Sequence, residues 1–169
     1  MVQRTGAGYR FSASDIVNFA ACTHLTQLDL RNLDTPLPKA EDSEEMALIA
    51  DKGFAHEAKY WAHLQKPHTT ATNIASDGAS DEALFEATQA ALSRGDEVLF
   101  QATLLSSPWV GHADFLLKVA TPSNLGDFSY EVADTKLART SRPKFLVQLC
   151  LYSELLSAVQ GVMPKHMRS

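Results

Sequence analysis

The sequence predicts an α+β fold in which helices flank a three-stranded antiparallel meander. Three observations lead there. Apolar residues recur at three- and four-residue spacing through the first third of the chain, three strand-like runs follow one another in its middle, and helical spacing returns after Pro143. At 169 residues the chain is long enough for one domain with a core and too short for two well-supported ones, so residues 1–169 are read as a single domain.

The elements follow in order. "FSASDIVNFAACTHLTQLDLRNL" opens with Ser12 and Ser14 as candidate N-caps, and Ile16, Phe19, Ala20 and Leu28 then predict a helix packed on something larger. "DTPLPKAEDS" is a charged, Pro-containing connector. "SEEMALIADKGFAHEAKYWAHLQK" has acids in its first turn and a lysine near its end, the order the helix dipole favours. Its Met46, Ile49, Gly53, His56 and Tyr60 are expected to share one face. The polar loop "KPHTTATNIASDGAS" leads to a shorter helix around Asp81 to Ser93. "DEVLFQATLLSS", "WVGHADFLLKVA" and "FSYEVADTKLA" then read as strands, separated by the turn segments "SP" and "TPSNLGD". Short connections between consecutive strands predict antiparallel pairing. In "SRPKFLVQLCLYSELLSAVQG", Pro143 suits an early helical position and Gly161 ends the helix. Phe145, Leu149, Tyr152, Leu156 and Val159 form one face.

Composition narrows the function classes. Hydrophobic residues at 45% and charged residues at 21% are those of an ordinary globular domain. No run of about eighteen apolar residues is present to span a membrane, and "MVQRTGAGYRFSASD" lacks the apolar stretch of a secretory signal, so a cytoplasmic location is expected. Cys22 and Cys150 form neither a disulfide framework nor a zinc-binding spacing, and each is expected to be a reduced structural or partly buried thiol. The net charge of -5 argues against a grip on nucleic acid by the whole surface, although local patches count for more and a metal site adds acidic residues of its own.

Strand alternation concentrates the chemistry. In the third strand Tyr130, Val132, Asp134 and Lys136 are expected to point one way, and Glu131, Ala133 and Thr135 the other. In the second, His112, Asp114, Leu116 and Lys118 are expected to share a face, just after Gly111. Adjacent strands then bring Asp114 beside Asp134. Two neighbouring carboxylates repel unless a cation sits between them, and hard oxygen donors suit Mg²⁺ or Mn²⁺. A lysine beside such a metal can orient water or steady charge on a phosphate. Taken singly, a D-x-K pair on a strand is most often a cross-strand ion pair, and a histidine on an apolar helix face is most often a core residue. The joint order, with Gln148 and Tyr152 one turn apart on the next helix, shifts the balance.

The segments "GFAHE", "GHADF", "YEVADTKLA" and "QLCLY" resemble the successive motifs of the RecB-like branch of the PD-(D/E)XK nuclease superfamily. The likeness runs from about Phe11 to Gly161. Within the branch it is nearest to nucleases fused to, or encoded beside, helicases, which also open with a helix like "SASDIVNFAACTHLTQLDL". The resemblance implies a restriction-endonuclease-like core and metal-dependent hydrolysis of DNA, at single strands or ends, in repair, recombination or defence. It further implies that His56, Asp114, Asp134 and the Thr135 carbonyl hold Mg²⁺ or Mn²⁺, and that Lys136 is the catalytic lysine acting with both aspartates. Gln148 and Tyr152 contact DNA or brace the site, with Glu57 and Glu131 in supporting positions only.

Two departures accompany the likeness. The superfamily core has a further strand after the Q-x-x-x-Y helix, whereas this chain continues only as "GVMPKHMRS". The expectation is a truncated chain or N-terminal fragment whose last core strand is missing or very short. Some relatives bind an iron–sulfur cluster through one early cysteine and three late ones. Cys22 matches the first, but the late three are absent and Cys150 lies elsewhere. No iron–sulfur cluster is expected within this chain, Cys22 serving one only if a longer parent supplies the other three. The rival expectation is a non-catalytic nucleic-acid-binding or scaffold module that keeps the fold.

Overall fold

Apolar side chains alternate between two faces along the central strands, and each face takes its own helices. The computed structural model describes residues 2–6, 8–38, 43–67, 70–135 and 143–168. A hairpin of β1 (Gln3–Thr5) and β2 (Gly8–Arg10) precedes α1 (Ala13–Ala21), α2 (Thr23–Asn32) and α3 (Glu44–Leu64). Then come β3 (Ala71–Asn73), α4 (Asp81–Arg94), β4 (Val98–Ser106), β5 (Trp109–Val119), β6 (Ser129–Ala133), α5 (Pro143–Gln160) and β7 (Met167–Arg168). The main sheet has five strands in the order β3-β4-β5-β6-β7. Its centre, β4-β5-β6, is the expected antiparallel meander, and the outer strands β3 and β7 run parallel to their neighbours after α4 and α5 cross over. The fold is α+β.

Two features differ from expectation. The strands β1, β2, β3 and β7 have three residues or fewer, too few for a period of two to show in sequence. The first helix is two, broken at Cys22, whose backbone is extended (φ -161°, ψ 112°). After α5 the chain returns to the sheet as the two-residue β7 beside β6, a very short last strand as expected.

On one face Leu99, Ala102, Leu104, Ala113, Leu116, Tyr130 and Val132 pack with Ala91 and Leu92 of α4 and Leu149, Tyr152, Leu155 and Leu156 of α5. On the other, Val98, Phe100, Phe115, Leu117 and Ala133 pack with Tyr60, Trp61 and Leu64 of α3. Strict alternation slips once. Leu99 and Ala102 serve the same face, as do Ala113 and Leu116, and the slip falls on Gln101 and Asp114. Gln101 takes a left-handed backbone conformation (φ 56°), uncommon for a residue with a side chain, and the Gln101–Asp114 position drops out of an otherwise regular ladder. His112, Asp114, Leu116 and Lys118 therefore do not all share a face, contrary to expectation.

The far end of α5 is pinned to β6. The buried Gln160 accepts from the Tyr130 N–H at 2.8 Å and donates to the Tyr130 carbonyl at 3.2 Å, as a neighbouring strand would. One side chain thus satisfies both backbone groups of a buried strand residue and fixes the axial position of α5.

Candidate functional site

Asp134 follows the last residue of β6 and is 5% exposed. Its N–H donates to the Arg168 carbonyl of β7 at 2.9 Å, so the short outer strand holds its backbone. Phe115 lies opposite Ala133 at the end of the β5–β6 ladder, and Asp114 and Asp134 are the next residues on the two segments. Both carboxylates thus follow the same end of that ladder, and the charge of each acts on Tyr152 of α5. Thr135 follows, half-buried. Lys136 lies outside the described residues.

Above this pair stands Tyr152 of α5. Its buried ring lies against β5 where Gly111 leaves room: a Cβ on Gly111 would come within 2.6 Å of Tyr152 Cδ1 and 3.0 Å of Leu155 Cδ1. The glycine that precedes Asp114 by three residues is therefore a contact surface for the ring. Gln148, one turn earlier, donates from Nε2 to Tyr152 Oη at 3.2 Å. Burial pushes the Tyr152 phenol up to about 12, and the charges of Asp114 and Asp134 push the same way against the hydrogen bond from Gln148. At neutral pH the phenol is protonated. Gln148, Tyr152, Asp114 and Asp134 form one electrostatically connected set.

The opposite face of the sheet is covered by α3. Its side toward the sheet is Gly53, Glu57, Tyr60, Trp61 and Leu64, with Trp61 stacked on Phe100 at 4.9 Å and Tyr60 edge-on to Phe115 at 5.1 Å. Those aromatic contacts set the helix rotation. Met46 and Ile49 are each 58% exposed, and His56 is exposed as well, so the buried stripe keeps Gly53 and Tyr60 of the expected face and is turned by roughly half a residue toward Glu57 and Trp61. Glu57 is the residue that reaches the sheet: its Oε1 accepts from Gln101 Nε2. Gln101 lies between Phe100 and Ala102, whose partners Phe115 and Ala113 flank Asp114. The sequence reading passed over Gln101. A lone amide inside the apolar run "VLFQATLL" is the signal that could have found it.

His112 faces elsewhere. Its Nδ1 is 3.2 Å from Thr103 Oγ1 and its Nε2 is 3.6 Å from Asp81 Oδ1, where Asp81 also pairs with Arg10. Glu131 points away from Asp134, to His166 at 3.0 Å and Arg168 at 3.5 Å. Cys22 and Cys150 are both free and exposed, Cys22 at the break between helices and Cys150 on the outer side of α5, so neither has the partial burial expected of it.

Among the described residues, no group of three or more His, Cys, Asp or Glu side chains is arranged to hold a metal ion, and His56 is not grouped with the two aspartates. None of the described helices is long and apolar enough to cross a membrane. No protein-family model, curated protein or solved structure matches the chain.

Proposed function

We propose that this chain is a divalent-metal-dependent nuclease, built on a restriction-endonuclease-like core, that hydrolyses DNA phosphodiester bonds. The observation that supports the reading is that Asp114 and Asp134 follow the last pair of the β5–β6 ladder and that both charges act on the buried Tyr152. Two carboxylates suit a small hard cation, because Mg²⁺ keeps several waters and needs only one or two carboxylate ligands. Asp114 and Asp134, with the Thr135 carbonyl, would hold Mg²⁺ or Mn²⁺. When bound, the ion supplies the positive charge that activates water and polarises the phosphodiester.

The chain's own residues do the rest. Asp134 is nearly excluded from water, which strengthens every electrostatic interaction it makes. Tyr152 offers an O–H donor to a phosphate oxygen, and the hydrogen bond from Gln148 orients it. Glu57 steadies Gln101 beside Asp114, and β7 steadies Asp134 from the opposite side. Lys136, next in the D-x-K motif, is the proposed proton-handling cation. DNA, with a helicase as a candidate associate, is the proposed partner.

Calorimetric titration with Mn²⁺ tests the site. Micromolar binding that disappears in Asp114→Ala is expected. Absence of binding by the wild-type protein would favour the rival reading, a nucleic-acid-binding or scaffold module without catalysis.

A further inference from the structure

A groove between α1 and the first half of α5 begins at Gln148, the residue that donates to Tyr152. There it widens into a cavity of about 280 Å³ whose polar lining is Ser14 and Asn18 from α1 with Lys144 and Gln148 from α5. A second cavity of about 450 Å³ continues along the same helices and shares Val17 and Lys144; its other lining residues are Ala20, Ala21, Pro143 and Val147. Helical spacing explains the layout. Ser14, Val17, Asn18 and Ala21 form one stripe of α1, and Lys144, Val147 and Gln148 form the facing stripe of α5. Lys144 stands where the polar half meets the apolar half.

We propose that this groove binds one unpaired nucleotide of a single strand, adjoining the bond to be cleaved. The inference rests on the nuclease reading above for that last clause. Lys144, Asn18 and Ser14 offer a cation, an amide and a hydroxyl to a phosphate. Val17, Ala20, Ala21 and Val147 offer an apolar wall to a base, which is the chemistry of sequence-independent single-strand binding. Cavities of about 280 and 450 Å³ between two adjacent helices offer room for part of a single strand and far less than a paired duplex needs. The small Ala20 and Ala21, both exposed, keep it open.

The test measures binding of a fluorescent single-stranded 12-mer, and of the matching blunt duplex, by anisotropy with Ca²⁺ in place of Mn²⁺. Wild-type protein is expected to prefer the single strand. Lys144→Ala should lower the slope of log affinity against log salt by about 0.7, the value for one phosphate contact on a single strand. Ala21→Trp, which fills the apolar half from an exposed helix position, should weaken single-strand binding roughly tenfold or more while duplex binding and thermal unfolding stay as in wild type. Wild-type single-strand affinity in both variants overturns the groove. Mn²⁺-dependent cleavage by the same preparations separates the two claims. Cleavage that persists beside unaltered strand binding in the variants leaves the nuclease and removes the groove. Groove-dependent strand binding by a protein that never cleaves does the reverse.

Discussion

Gly111→Ala is the sharpest probe of how the fold builds the site. The added Cβ would stand 2.6 Å from Tyr152 Cδ1, 2.9 Å from its Cε1 and 3.0 Å from Leu155 Cδ1. Unstrained carbon contacts lie at about 3.5–4.0 Å, so the ring must retreat by roughly 1 Å. It has little room, because Leu149, Leu155 and Leu156 on the same helix are almost wholly buried. Overpacking of this kind costs about 1–3 kcal/mol. For a domain of this size each kcal/mol moves Tm by about 2–4 °C, so a fall of roughly 2–12 °C is expected in thermal unfolding followed by circular dichroism. Because the ring carries the hydroxyl above the carboxylates, DNA cleavage should fall with it. A double-mutant cycle isolates the cause. On a Tyr152→Ala background most of the penalty should vanish, with a coupling of about 0.5–3 kcal/mol between the two positions. A Gly111→Ala protein that melts within a degree of wild type, or one that loses as much without the ring as with it, would refute the close-contact argument.

Gln160→Leu leaves the Tyr130 N–H and carbonyl unpaired in the core and should cost about 2–4 kcal/mol, read as a lower urea midpoint at unchanged slope. Burial pushes the Asp96 carboxyl up, but hydrogen bonds from Arg94 and Thr72 outweigh it and hold the carboxyl below its ordinary range. Its contribution to stability is therefore complete above about pH 3.9 and lost as pH falls through the depressed value, an acid sensitivity that Asp96→Asn should flatten in urea titrations. The Tyr130 phenol, raised by burial and then by Asp96, stays protonated in the folded state past the pH at which the unfolded chain ionises. Stability should fall above about pH 10, less steeply in Tyr130→Phe. Glu57→Ala should weaken Mn²⁺ binding by about 10- to 100-fold through Gln101, with His56→Ala changing it by less than about twofold, both read by calorimetry.

What was legible in the sequence follows from what local pattern encodes. Long runs with a clean period, from Val98 to Val119 and from Pro143 to Gln160, announced the meander and the last helix with nearly correct limits. The antiparallel pairing expected of the neighbouring runs "GHADF" and "YEVADT" is present as far as Phe115 opposite Ala133. Alternation misled. A left-handed residue at Gln101 shifts the faces on both strands, and no side-chain pattern announces a backbone angle. The rotation of α3 was lost for a related reason: its stripe is set by stacking of Trp61 on Phe100, a contact between residues 39 positions apart. Glu57, adjacent in sequence to His56, thereby became the residue that meets the sheet.

The central claim is that the pair Asp114 and Asp134 forms a metal-dependent nuclease centre. It is tested most directly by Mn²⁺-dependent cleavage of labelled single-stranded DNA by the wild-type protein and by Asp134→Asn, which keeps the side-chain shape and removes the charge. The account predicts cleavage by the wild type and a loss of about a hundredfold or more in the variant, with unfolding transitions that stay comparable. Equal cleavage by the two proteins, or none by the wild type at any Mn²⁺ or Mg²⁺ concentration, would contradict it.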